Sequence, residues 1–129
     1  MKNSDFRISG HLIDIQKRQI LDREIIIKNG RISEIREFNN VQDLYIMPGF
    51  VDSHVHIESS MLSPESFSEI ASKAGTIAVV SDPHEIANIC GTEGIDYMIK
   101  SAKRGIIKFF FGAPSCVPAT AFETSIYTG

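Results

Sequence analysis

The sequence predicts an α/β protein with two stretches of different rhythm, and three observations carry that expectation. Over residues 6–44, aliphatic and β-branched residues gather in short runs: Leu12, Ile13 and Ile15, then Ile25, Ile26 and Ile27, then Ile32 and Ile35. Such runs suit small antiparallel strands. From Pro48 onward, apolar runs alternate with segments of helical period. Polar or ionisable residues then follow each apolar run: His54, His56 and Glu58 at the first, Asp82, His84 and Glu85 at the second, Ser115 and Cys116 at the third.

Each element has a local reason. Lys28-Asn29-Gly30-Arg31 puts Asn-Gly between two aliphatic runs, the strongest short hairpin signal in a sequence. Polar residues 37–43 form a connector. A strand is expected over residues 49–56. Ser63 then supplies a helix N-cap and Pro64 the first helical position, while Phe67, Ile70, Ala71 and Ala74 share one helical face and Gly75 ends the helix. Thr76-Ile77-Ala78-Val79-Val80-Ser81 is a mostly apolar run, as in a parallel strand covered on both sides. After a turn at Asp82-Pro83-His84 come a short helical piece to Cys90 and Gly91 and a separate helix over residues 94–104, with Ile95, Met98, Ile99 and Ala102 as its buried stripe. A third apolar strand is expected over residues 106–111, closed by Gly112 and Pro114.

Strands recurring about every 30 residues with helices between them are the rhythm of a (β/α) barrel, and equally of a doubly wound open sheet. In a barrel the residues after each strand converge on one face, so the three polar clusters would line one pocket.

The most informative pattern is His54-Val55-His56. Side chains two apart on a strand project from the same face, so this spacing sets two imidazoles side by side. Neutral imidazole suits Zn, Fe, Ni and Cu, with Mn possible where carboxylates share the site, and Asp52 and Glu58 lie close by in sequence. Two histidines alone are too few to hold an ion firmly.

Composition narrows the classes further. A chain of 129 residues, 43% hydrophobic and 22% charged, is ordinary for a soluble globular protein. Its net charge of −3 without a basic run favours neither nucleic acid nor an anionic membrane as partner. Two distant cysteines, Cys90 and Cys116, argue against a secreted disulfide scaffold and for a reducing cytoplasm. No stretch approaches the roughly 18 apolar residues of a membrane span, and the N-terminus has no apolar signal core.

At this point the residues resemble a known family. Pro48-Gly49-Phe50-Val51-Asp52-Ser53-His54-Val55-His56 is similar to the first-strand motif of the amidohydrolase superfamily, metal-dependent hydrolases with a (β/α)8 barrel flanked by a small β-sandwich. Ile27-Lys28-Asn29-Gly30-Arg31-Ile32 looks like a hairpin of that sandwich. Three longer stretches, His56-Ile57-Glu58-Ser59-Ser60-Met61-Leu62, Asp82-Pro83-His84-Glu85-Ile86-Ala87-Asn88 and Pro114-Ser115-Cys116-Val117-Pro118-Ala119-Thr120, together resemble the bacterial adenine deaminases within that superfamily. The likeness is strong over residues 48–129 and generic before them.

The resemblance implies residues 1–47 as strands of the sandwich and residues 48–129 as the first three β/α units of the barrel. It implies hydrolysis of adenine to hypoxanthine and ammonia in purine salvage, with adenine and water as partners and two metal ions, Mn2+ or Fe2+, in a homo-oligomeric complete enzyme. His54 and His56 match the family's first two metal ligands. His84 and Glu85 match its second-strand motif and are candidates for contact with metal-bound hydroxide or the purine. Asp82 and Glu58 are candidates for supporting the ligands or meeting substrate. Plainer roles stand beside these: Asp82 and His84 as caps of the following helix, Glu58 as a solvated or capping carboxylate, and Cys116 as a buried apolar residue rather than a reactive thiol. A (β/α)8 barrel needs about 250 residues, so the chain is expected to be an N-terminal portion. Two alternatives remain: another amidohydrolase acting on a cyclic amide, which shares the histidine pair but gives no reason for the longer motifs, and a non-catalytic metal-binding fragment.

Overall fold

The computed structural model describes residues 5–114 together with Cys116 and Val117. Ser115, Pro118, Ala119 and Thr120, named above in the third motif, lie outside the described residues. The chain divides into two compact units, Met1–Pro48 and Gly49–Gly129, and its fold class is mixed α/β.

The first unit is a four-stranded sheet in the order β3-β2-β1-β4, with β1 at Phe6–Asp14, β2 at Gln19–Lys28, β3 at Arg31–Glu37 and β4 at Tyr45–Ile46. The first three strands pair antiparallel, as their aliphatic runs predict. Asn29 and Gly30 have φ of 52° and 69°. Both central turn residues are thus left-handed, the geometry of a type I′ hairpin, which Asn-Gly tolerates at little steric cost. Ile25 and Ile26 are buried, whereas Ile15 falls in the turn after β1 and is exposed. Glu24 is a buried carboxylate held by the Arg36 guanidinium across the β2–β3 ladder, with Nε donating to Oε2 at 2.8 Å. β4 was not foreseen: its two residues pair parallel with His11 and Leu12 of β1, and a pairing of that kind leaves no local pattern. Gly10 permits this approach, since a Cβ there would stand 2.7 Å from the Leu44 carbonyl oxygen.

The second unit carries a three-stranded parallel sheet, β5 at Phe50–Val55, β6 at Thr76–Ser81 and β7 at Lys108–Phe111, in the order β5-β6-β7. Helix α1, Pro64–Lys73, joins the first two strands, and α2, His84–Ala102, the second and third. Ser63 caps α1 by accepting from the Ser66 N–H, with Pro64 at the first position. Gly75, at φ +88°, closes the turn into β6. Val79 is fully buried and Ala78 nearly so, so both faces are covered in the middle of the strand, while Ile77 near its start is exposed.

Three expectations need correction here, and one break is where it was expected. The helix stripe of α1 is not the one its period suggests: Ile70 is 59% exposed, and the buried positions are Pro64 and Ser68. The reason lies in what packs there. Ser68 Oγ accepts from the Ile106 N–H at 3.1 Å, and Gly105 comes so close that a Cβ would sit 3.0 Å from Ser68 Oγ. A small polar contact decides which face is inward. In α2, Met98 and Ala102 are buried as the stripe predicts, but Ile99 is exposed. The break expected at Gly91 is present: within His84–Ala102 two helical pieces meet at a kink where Gly91 adopts φ 56°, ψ −144°, a conformation open to glycine and strained for other residues. Finally, β7 begins at Lys108 rather than residue 106, since Ile106 and Ile107 belong to the turn that Ser68 holds.

Candidate metal centre and its surroundings

The candidate residues lie where β5 and β6 end. Pairing between these strands reaches Val55 and Ser81, and the Asp82 N–H donates to the Val55 carbonyl at 3.2 Å. His54 is therefore on β5 and His56 just beyond it, not within the strand as the spacing alone suggests. The rings still come together. His54 Nε2 and His56 Nε2 are 3.0 Å apart. His56 Nδ1 lies 3.0 Å from the Asp82 carbonyl oxygen. A carbonyl only accepts, so Nδ1 carries the proton and Nε2 presents a lone pair, the tautomer a metal ligand needs. The backbone N–H of His54 donates to Asp52 Oδ1 at 3.1 Å.

Asp82 and His84 do not cap α2 with their side chains: the N-cap is Pro83, without a side-chain bond. His84 Nδ1 instead meets Asp82 Oδ2 at 3.2 Å, and its ring stands edge-on to His56 at 4.7 Å between centroids. Asp82 Oδ1 is buried and, among the described residues, has no hydrogen-bond partner. Among the described residues two sets of donor atoms gather closely enough to hold an ion, His54 with His56 and Asp82, and His56 with His84 and Glu85, each within 4.8 Å. Two nitrogens bound at about 2.1 Å to one ion and at right angles to each other stand about 3.0 Å apart, which is the separation the histidine pair shows. These residues fit a divalent metal.

Glu58 is not on the strand face expected for it. The buried Ile57 turns the chain out of β5, and Glu58 opens a 3-10 turn, Glu58–Ser60. There its Oε1 faces the Ile86 N–H at 3.4 Å in the first turn of α2, where a carboxylate is favoured by the helix dipole. Its Oε2 is buried without a partner among the described residues. Glu85 lies in the first turn of α2 and accepts a short 2.6 Å hydrogen bond from Ser59 Oγ. Between them Glu58 and Glu85 line a cavity of about 310 Å³ whose other walls include Leu62, Ile89 and Tyr97, at the small end of ligand-sized sites.

Cys116 is exposed, contrary to the buried reading. Its carbonyl oxygen takes the Asn88 side-chain N–H at 3.0 Å, while the same amide nitrogen reaches His84 O at 2.9 Å. Asn88 thereby joins the second and third long motifs. Neither it nor Ser59 was singled out from the sequence. Both stood inside motifs already quoted, but their partners are 26 and 28 residues away.

Residues 45–128 match the model of the amidohydrolase family. The chain belongs to that family. It is also similar to proteins named adenine deaminase: 50% identical over 124 residues to that of Borreliella burgdorferi, covering 95% of this chain and 23% of the relative. To that of Methanosphaera stadtmanae it is 52% identical, covering 92% of this chain and 22% of the relative. To that of Salinibacter ruber it is 47% identical, covering 95% and 22%. This amidohydrolase chain thus spans about a fifth of the length of the curated relatives it matches. Metal dependence, expected of the family, agrees with the donor sets just described. Among the described residues no helix is long and apolar enough to cross a membrane.

Proposed function

We propose that this chain is the N-terminal portion of an adenine deaminase that hydrolyses adenine to hypoxanthine and ammonia. The observation that carries the reading is the His54–His56 pair, with Nε2 atoms 3.0 Å apart and the His56 tautomer fixed by the Asp82 carbonyl. Identity near 50% to proteins of that name supports the choice of substrate.

In this reading, His54 and His56 are metal ligands. An ion held there, Mn2+ or Fe2+, would lower the pKa of water to about 7 and so would supply the nucleophile near neutral pH. Glu85, accepting from Ser59, moves a proton toward the departing ammonia, and His84 orders the carboxylate of Asp82. The cavity beside Glu85 takes part of the purine, and Glu58 braces the start of α2. A second ion, which the resemblance implies, would draw on ligands other than His54 and His56.

The sequential order β5-β6-β7, each strand beside its predecessor with a helix between, supports the opening of a (β/α)8 barrel over residues 48–129. Residues 1–47 are read as sandwich strands. A place in purine salvage, a cytoplasmic location and a homo-oligomeric assembly belong to the same proposal.

The test is the full-length protein loaded with Mn2+ and supplied with adenine, with release of ammonia followed. Turnover of adenine supports the reading. A metal-loaded protein that leaves adenine intact but opens a cyclic amide would replace it with the alternative.

A further inference from the structure

We infer that Asp82 is itself a ligand of the ion that His54 and His56 hold, binding through Oδ1; the inference rests on the metal reading above. A carboxylate oxygen removed from water and left without a partner is costly, and Asp82 Oδ1 is in that condition. Its other oxygen meets His84 Nδ1 at 3.2 Å. A cation beside the two histidines is the partner that completes it. The donor atoms of His54, His56 and Asp82 already lie within 4.8 Å of one another. Donors each about 2.1 Å from one ion stand at most about 4.2 Å apart, so a small inward movement of one side chain closes the set.

The alternative set, His56 with His84 and Glu85, draws on the same histidine. His56 has one nitrogen to give, because Nδ1 is committed to the Asp82 carbonyl. Its Nε2 already faces His54 Nε2, and Glu85 Oε1 is occupied by Ser59. Competition for a single lone pair therefore favours the set containing Asp82. His84 becomes a positioning residue that turns the Asp82 carboxylate so that Oδ1 faces the ion. Two imidazoles and one carboxylate leave coordination positions open for water.

A gain of signal tests this in the full-length protein. Asp82→Cys loaded with Co2+ should acquire thiolate-to-cobalt charge-transfer absorption that the parent lacks, because only a side chain that reaches the ion can supply it. A variant that binds one Co2+ without that band overturns the inference. Asp82→Asn, which keeps the shape, provides the second measurement by equilibrium dialysis against Mn2+. Loss of about 100-fold or more in affinity is expected, beyond the roughly 10- to 100-fold that removal of an outer hydrogen-bonding partner costs. Parent-like affinity in Asp82→Asn refutes the ligand role and leaves adenine deamination untouched as a reading. Failure of the parent to bind either metal overturns both.

Discussion

Replacing Glu85 with Gln separates chemistry from architecture at this site. The change keeps the side-chain shape and an oxygen able to accept from Ser59 Oγ, now 2.6 Å away. The structural loss is then the difference between a charged and a neutral acceptor in one hydrogen bond, about 1 kcal/mol. Removing a proton-transferring carboxylate is a larger effect: general acid–base catalysis contributes about 10²- to 10⁴-fold, or roughly 2.7–5.4 kcal/mol of barrier at 1.36 kcal/mol per decade. The catalytic term wins by a clear margin. In the full-length protein, Glu85→Gln should lower kcat for adenine at least about 100-fold while the metal content stays at the parent value. Ammonia release and elemental analysis on the same preparation give both numbers. Activity within about tenfold of the parent would show that Glu85 does not move the proton. Activity and metal falling together would instead assign Glu85 to the ligand set with His56 and His84.

His54→Ala and His56→Ala should each lose bound metal and turnover. His56→Ala should also lower thermal stability more, because it strips the Asp82 carbonyl of its 3.0 Å donor; unchanged metal in both variants defeats the ligand assignment. Gly49→Ala places a Cβ 2.2 Å from Ile77 Cγ2, so it should destabilise by about 1–3 kcal/mol. Adding Ile77→Ala should recover much of the loss in a denaturant titration, and no recovery would show that the clash is not the cause. The 129-residue chain expressed alone should self-associate and fail to deaminate adenine, since Phe50, Val51, Ile77 and Phe110 are all more than half exposed. Size-exclusion chromatography with an ammonia assay tests this, and an active monodisperse monomer would contradict it.

What could be read in advance was what is local. Asn29-Gly30 declares its turn because two adjacent residues must both take positive φ, and Ser63-Pro64 declares a helix start because cap and first position are neighbours. The apolar run Thr76–Ser81 became a strand with those bounds for the same reason. Contacts made at a distance left weaker traces. Nothing in Tyr45 and Ile46 announces a parallel pairing with β1, and the exposure of Ile70 follows from a serine–turn contact 38 residues away. In the site, the histidine spacing foretold a pair of imidazoles, although His56 reaches its place after the strand has ended. Glu58 was assigned to the wrong element because strand alternation was carried past Val55, where the buried Ile57 turns the chain. The Ser59–Glu85 bond and the unpaired Asp82 oxygen arise only once β5 and β6 lie side by side.

That adjacency has a thermodynamic consequence. Asp82 offers its N–H to Val55, its carbonyl to His56 and its carboxylate to the neighbourhood of the histidine pair, so one residue couples the zipping of two strands to the readiness of the site. An ion bound there would draw the two strand ends together, and the free energy of binding would appear as resistance of the β5–β6 junction to opening. Amide exchange at Asp82 would thus slow as metal is added, and chelation would loosen the junction before the rest of the sheet responds.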